Sequence, residues 1–237
     1  MDDFEQATEL HSSTPDKYQT TLTKQWALWG PAGGYLAALA LRAAGESTDF
    51  LRPISMACQY FRVAAFEPID LIVTRLKQGK RSEALRVDLI QNDRLIMSTQ
   101  VWTGTSGSKT MEHDYIAPVA VPEPSAVANY ETVYPDRKIH PFMRRIESKP
   151  IDPIADGDLT VYPPELRGLY HFHPRATGSN DFIDSARALL LLDTFAWLAN
   201  YPANPGPSPW IAPNLDFYYR FHRSMLESPW LYMHTRA

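Results

Sequence analysis

Tyr60-Phe61-Arg62-Val63-Ala64-Ala65-Phe66-Glu67-Pro68, followed by Leu71-Ile72-Val73-Thr74-Arg75, returns in altered form near the C-terminal end. There it reads Phe221-His222-Arg223-Ser224-Met225-Leu226-Glu227-Ser228-Pro229, then Leu231-Tyr232-Met233-His234-Thr235-Arg236. Each copy places an aromatic and basic strand end, a Glu and a Pro before a new strand that closes on Thr-Arg. Repetition of this kind means that one supersecondary unit is used twice. The first copy runs on through two more strand-like segments to about Gly104, whereas one residue follows Arg236. The second unit is therefore expected to lack its last strands. The sheet edge this exposes favours pairing with another chain, so a homo-oligomer is expected.

Outward from the first copy, Gly30-Pro31 opens a helix over Gly33 to Ala44, with Gly45 at its end. That helix is apolar nearly all round and is expected to be buried. Residues 18–29 before it read as extended. Strand-like runs follow at 55–66, 69–78, 82–91 and 94–104, and Gln78-Gly79-Lys80-Arg81 and Asn92-Asp93 supply turns for an antiparallel meander. Residues 106–141, rich in Pro and polar side chains, read as a linker between an N-terminal unit, 1–105, and a C-terminal unit, 142–237. The second unit carries strands at 142–149 and 168–175, a helix at 180–200, a proline-rich loop at 201–209, and a strand at 210–223. A long helix laid on an antiparallel sheet, twice over, is an α+β arrangement.

Bulk composition excludes several classes. A formal net charge of −4 leaves no basic excess to attract nucleic acid. No apolar stretch approaches the ~20 residues of a membrane span. The start, Met1-Asp2-Asp3-Phe4-Glu5, lacks the apolar run of a secretory leader, so a cytoplasmic location is expected. The single cysteine, Cys58, sits beside Met56 and Ala57 and reads as a buried, inert strand position.

Asp193 is the strongest candidate for chemistry. On the helix 180–200, Phe182, Ala186, Leu189, Leu190 and Trp197 recur at helical spacing as a buried stripe, and Asp193 lies inside it. A carboxylate on an apolar face must be hydrogen-bonded or shift its pKa upward, and either suits a general base that orients water. The alternative is that Asp193 caps a backbone group or lies at the sheet margin. Gly33 and Gly34 open the first helix, where unpaired N–H groups could polarise a carbonyl. The structural alternative, a close pass of the helix start against the neighbouring sheet, is preferred for that pair. His171, His173 and His222 lack the spacing of a metal site, and Gly104-Thr105-Ser106-Gly107-Ser108 lacks the pattern of a serine elbow. No metal and no organic cofactor is expected.

Trp26-Ala27-Leu28-Trp29-Gly30-Pro31-Ala32-Gly33-Gly34-Tyr35, ahead of an Ala/Leu helix and a meander, resembles the thioesterase-like proteins related to acyl-CoA thioesterase II. Pro209-Trp210-Ile211-Ala212-Pro213-Asn214-Leu215-Asp216 through Arg223 is similar to the second half of the same family. The resemblance implies a double hotdog: two antiparallel sheets joined side by side, each wrapped around one long helix. It further implies an acyl-CoA or other acyl thioester as substrate, a place in lipid metabolism, and hydrolysis by water attack. The family's catalytic Asp matches Asp193. Its threonine falls on Asn214, which offers an amide in place of a hydroxyl. Leu215, Phe217, Tyr219 and Phe221 alternate with Asn214, Asp216, Tyr218, Arg220 and His222 as an apolar and a polar face, and the alternative is that Asn214 merely belongs to the polar one. The family's glutamine belongs to a final strand with no counterpart here; Ser98-Thr99-Gln100 has similar local sequence in the other hotdog. The Thr-to-Asn departure keeps a non-catalytic acyl-thioester or hydrophobic-ligand binding protein as the rival reading. A hotdog dehydratase or hydratase would need a helical His, and the histidines fall on strands and loops.

Overall fold

The computed structural model describes residues 3–105, 119–172, 181–207, 212–223 and 229–237. A helical turn, α1 (Phe4–Ala7), and a hairpin, β1 (His11–Thr14) and β2 (Lys17–Thr21), lead to helix α2 (Gly33–Glu46). Strands β3 (Arg52–Tyr60), β4 (Pro68–Gln78), β5 (Ser82–Gln91) and β6 (Arg94–Gly104) complete the first half. The second half holds a helical turn α3 (Tyr130–Val133), strands β7 (Ile146–Pro150) and β8 (Glu165–Phe172), and helix α4 (Asp181–Phe195). Strands β9 (Asp216–Arg220) and β10 (Trp230–Arg236) follow.

The repeat is visible in the hydrogen-bond pattern. In the first half β1 pairs β2 and β2 pairs β4; in the second β7 pairs β8 and β8 pairs β10, all antiparallel. Strands β3 and β9 occupy equivalent places and pair with each other, Ala57 opposite Tyr218. That pairing joins the halves, giving one sheet in the order β1-β2-β4-β5-β6-β3-β9 and a second in the order β10-β8-β7. Strands β5 and β6 bridge β4 to β3 in the first half, and among the described residues no strand bridges β10 to β9. The fold is the double hotdog.

Local chemistry accounts for the elements. Alternating burial along β4 and β5 puts Leu71, Val73, Leu85, Val87 and Leu89 on the face that covers α2. The β5–β6 turn is Asn92-Asp93, both at positive φ (50° and 58°), the geometry a two-residue hairpin needs. Helix α2 is buried along almost its whole length because Ala and Leu satisfy both helix propensity and close packing. Phe4 stacks edge-on against Trp26 of the first half and Phe172 of the second, tying the two halves through one ring.

Several boundaries differ from the sequence reading. Residues 141–145 form a 3-10 turn, with Pro141 at its start, and the strand expected from 142 begins at Ile146. The helix expected to reach residue 200 ends at Phe195 and passes into a 3-10 segment containing Pro202, which cannot continue an α-helix. The first long strand stops at Tyr60 because the next two N–H groups, of Phe61 and Arg62, both turn to the Ile96 carbonyl. The strand expected from 210 begins at Asp216. Gly45 lies inside the last turn of α2 and does not end it. His173, the expected strand residues 173–175, residues 106–108 and 208–211, and the repeat positions 224–228 fall outside the described residues.

Helices α2 and α4 pack antiparallel, and glycine sets their separation. A Cβ on Gly34 would lie 2.6 Å from both the Leu189 carbonyl oxygen and the Leu190 Cα. A Cβ on Gly45 would meet the Phe182 ring at 2.8 Å. Backbone cannot move aside as a ring can, so the two positions differ in consequence. Gly34→Ala is expected to cost about 1–3 kcal/mol of stability, as for other over-packed sites. Gly45→Ala should cost less, because Phe182 can rotate; urea unfolding of the two variants against the parent checks the order.

Candidate functional site

Asp193 lies in the last turn of α4, and the antiparallel packing aims its carboxylate at the first turn of α2. No side chain on α2 itself caps that end: Ala32 occupies the N-cap position. Asp193 supplies the acceptor instead. Its Oδ2 accepts the Gly34 N–H at 2.6 Å, in the positive field of the helix N-terminus. Its Oδ1 accepts from Asn214 Nδ2 at 2.6 Å. Gly33 lies directly over the carboxylate, where a Cβ would meet Oδ1 at 2.9 Å.

The site is therefore built from three segments brought together: Asp193 from α4, Gly33 and Gly34 from α2, and Asn214 from the approach to β9. Asn214 stands outside the strand and turns toward Asp193, so it does not belong to the polar face of β9. The expected alternation does hold at Phe217, Tyr219 and Phe221, which are more covered than Asp216, Tyr218 and Arg220. Leu215, expected on the apolar face, is 76% exposed because its carbonyl is drawn to the Tyr60 N–H at 2.9 Å. Asp193 is only 9% exposed, while its partner Asn214 is exposed.

Both sequence-level alternatives for Asp193 meet in one geometry, since it caps a backbone N–H and is buried with a perturbed acidity. Burial raises its pKa above the ordinary carboxylate value, opposed by the Asn214 amide and the Gly34 N–H. The expected carbonyl-binding role of Gly34 meets a conflict here, because its N–H is committed to Asp193. The Gly33 N–H has no acceptor among the described residues. Gly33 and Gly34 allow a close approach, as the structural alternative expected, but to helix α4 and not to the sheet.

One residue that sequence reasoning passed over belongs to this site. Tyr60 donates its hydroxyl to the Gly33 carbonyl at 3.0 Å, and near it Cys58, buried on the strand as expected, contacts Thr99 Oγ1 at 3.4 Å. Both lie on β3 within the field of Asp193; burial pushes the Cys58 thiol up to about 12 and the Tyr60 phenol well above its usual value. The signal for Tyr60 was present in the repeat, where its counterpart is Phe221 and only one copy carries the hydroxyl. Gln100 lies on the exposed face of β6, the face opposite Thr99, away from Asp193. His171 stacks on Trp230 at 5.1 Å and His222 is exposed. Among the described residues no cluster of three potential ligands could hold a metal.

At the opposite end the contact between the two helices is apolar, although the first turns of α4 also hold the buried Asp184–Arg187 ion pair. With α2 and α4 aligned at their first residues, Gly34 falls on Phe182 and Asp193 on Gly45. In the repeat register Tyr60 falls on Phe221 and Asn214 on Pro53. Where one end holds a carboxylate between two donors, the other holds the Phe182 ring against Gly45.

Residues 22–104 match the family described as the acyl-CoA thioesterase N-terminal domain. No curated protein matches the chain in sequence. Among solved structures, a hot dog fold protein of unknown function from Alicyclobacillus acidocaldarius superposes with a TM-score of 0.76. It is 17% identical, over 93% of this chain and 78% of that one. A tesB protein of Mycobacterium avium subspecies paratuberculosis also gives 0.76, at 19% identity over 97% and 83%. The acyl-CoA thioesterase II TesB2 of Mycobacterium marinum gives 0.74, at 15% identity over 98% and 82%. These likenesses establish the shared fold.

The raised pKa of Asp193 has a stability consequence whose sign is fixed. A carboxyl whose folded pKa lies above its unfolded value costs the folded state stability as pH rises from the unfolded value through the folded one. Asp193→Asn, which removes the charge but keeps the shape, should therefore raise thermal stability at neutral pH. The gain should shrink as pH falls below the ordinary carboxylate range; melting curves of both proteins across pH test this.

Proposed function

On the premise that this chain is a thioesterase-like, double-hotdog protein, we propose that it hydrolyses acyl-CoA thioesters by direct attack of water. The observation that carries the reading is the buried Asp193 carboxylate, held between the N-terminus of α2 and the exposed Asn214. The match of residues 22–104 to an acyl-CoA thioesterase domain supports it.

In this reading Asp193 is the general base. Each carboxylate oxygen keeps a lone pair beyond the one used by Gly34 or Asn214, and one of these accepts a proton from water. The water oxygen bonds to the thioester carbonyl carbon, whose oxygen takes up negative charge. The intermediate then expels the CoA sulfur as thiolate, leaving the carboxylic acid, and the proton held by Asp193 returns to solvent or to the leaving group. The Gly33 N–H, which has no acceptor among the described residues, is the donor available to the carbonyl oxygen at the helix N-terminus. Asn214 does for Asp193 what a hydroxyl could do, holding one oxygen in place. No helix among the described residues is long and apolar enough to cross a membrane. Action on acyl thioesters in the cytoplasm, within lipid metabolism, belongs to the same proposal.

Turnover of an acyl-CoA panel, short to long chain, followed by release of free thiol, tests the reading. The parent is expected to hydrolyse at least one chain-length class, and Asp193→Asn to lose about 10²–10⁴-fold in rate, the usual worth of a general base. A folded parent that turns over no thioester, yet binds acyl-CoA saturably, would replace hydrolysis with the ligand-binding reading.

A further inference from the structure

We infer that Tyr60 is a positioning residue that tunes Asp193 through the peptide unit joining Gly33 and Gly34. The inference rests on the assignment of Asp193 as the working base. The Gly33 carbonyl and the Gly34 N–H are the two ends of one planar peptide group. Tyr60 donates its hydroxyl to the carbonyl end at 3.0 Å, and the N–H end donates to Asp193 Oδ2 at 2.6 Å. A donor on the oxygen draws charge through the peptide and makes the N–H a stronger donor, so the two bonds reinforce each other. A stronger N–H favours the ionised carboxylate.

The same residue also fixes the second partner of Asp193. The Tyr60 N–H donates to the Leu215 carbonyl at 2.9 Å, anchoring the chain immediately beside Asn214. Both donors to the carboxylate are thus referred to Tyr60, one through its side chain and one through its backbone. The repeat supplies an internal comparison. At the equivalent position of the other half stands Phe221, which has no hydroxyl, and the helix contact there, Phe182 against Gly45, has no carboxylate to tune. The hydroxyl occurs in the copy whose helix start faces Asp193.

The titratable groups that feel the charge of Asp193 among the described residues are Cys58 and Tyr60, both from β3. Helix α2 presents the backbone of Gly33 and Gly34, and the segment before β9 presents the uncharged Asn214. Both β3 groups stay neutral through the range in which Asp193 ionises, so one titration reports on it.

The experiment compares parent, Tyr60→Phe, and a protein with 3-fluorotyrosine at position 60, a stronger donor of nearly the same shape. Asp193 is titrated directly by the infrared difference signal of its carboxyl, identified by its loss in Asp193→Asn. Phe at position 60 is expected to move the titration upward, and fluorotyrosine to move it downward. With hydrolysis measured alongside, Tyr60→Phe should lower kcat/KM about two- to four-fold on the acidic side and leave the alkaline plateau unchanged. Coincident titrations in all three proteins would overturn the inference, as would an activity loss equal at every pH. A protein that shows the titration shifts but no hydrolysis would uphold the coupling while removing the catalytic reading, so the two fail separately. If Tyr60→Phe does not fold, the fluorotyrosine arm alone decides the direction.

Discussion

The lack of a side chain at Gly34 is the constraint on which this structure turns. With backbone atoms of Leu189 and Leu190 only 2.6 Å from where a Cβ would stand, no other residue lets α4 lie this close to α2. Close approach brings a buried carboxylate on one helix to the unpaired N–H groups of another. The two needs are complementary: the helix start requires an acceptor, because Ala32 cannot provide one, and Asp193 requires donors to remain in an apolar setting. The packing contact and the polar contact are the same contact.

A duplicated fold has become a chain with unlike ends. Both halves repeat the strand pairings around a central helix, and the β3–β9 ladder joins them through equivalent strands. The chemistry is not repeated. Asp193, Gly34, Tyr60 and Asn214 at one end answer to Gly45, Phe182, Phe221 and Pro53 at the other. At the far end a ring packed on Gly45 stabilises the helix pair through an apolar contact. At the near end the pair carries the desolvation of Asp193, and the raised pKa that follows makes its carboxylate more basic.

Much of the architecture was legible in sequence because its signals are local. The Ala/Leu run marked α2, the Asn92-Asp93 pair marked a hairpin, and alternation marked β4 to β6. The ends of β3 and β9 were misread because contacts distant in sequence set them: the Ile96 carbonyl takes the N–H groups after Tyr60, and the Tyr60 N–H takes the Leu215 carbonyl. Asp193 was legible because a charge inside an apolar helical stripe is visible in the periodicity. Asn214 was reached through resemblance, since periodicity alone assigned it to a strand face. Tyr60 was passed over, although the Tyr-to-Phe difference between the copies lay in the motif that revealed the repeat.

The sequence by itself determined that one unit is used twice, that each unit wraps a helix in antiparallel strands, and that a carboxylate is buried in the second helix. Repetition, periodicity and turn chemistry are properties of neighbouring residues and survive without coordinates. Only the tertiary structure decided what that carboxylate meets. Hydrogen-bond partners separated by more than a hundred residues, as Gly34 and Asp193 are, come together through helix packing and strand pairing. Their geometry depends on where backbones can approach, and so a glycine with no side chain decides it.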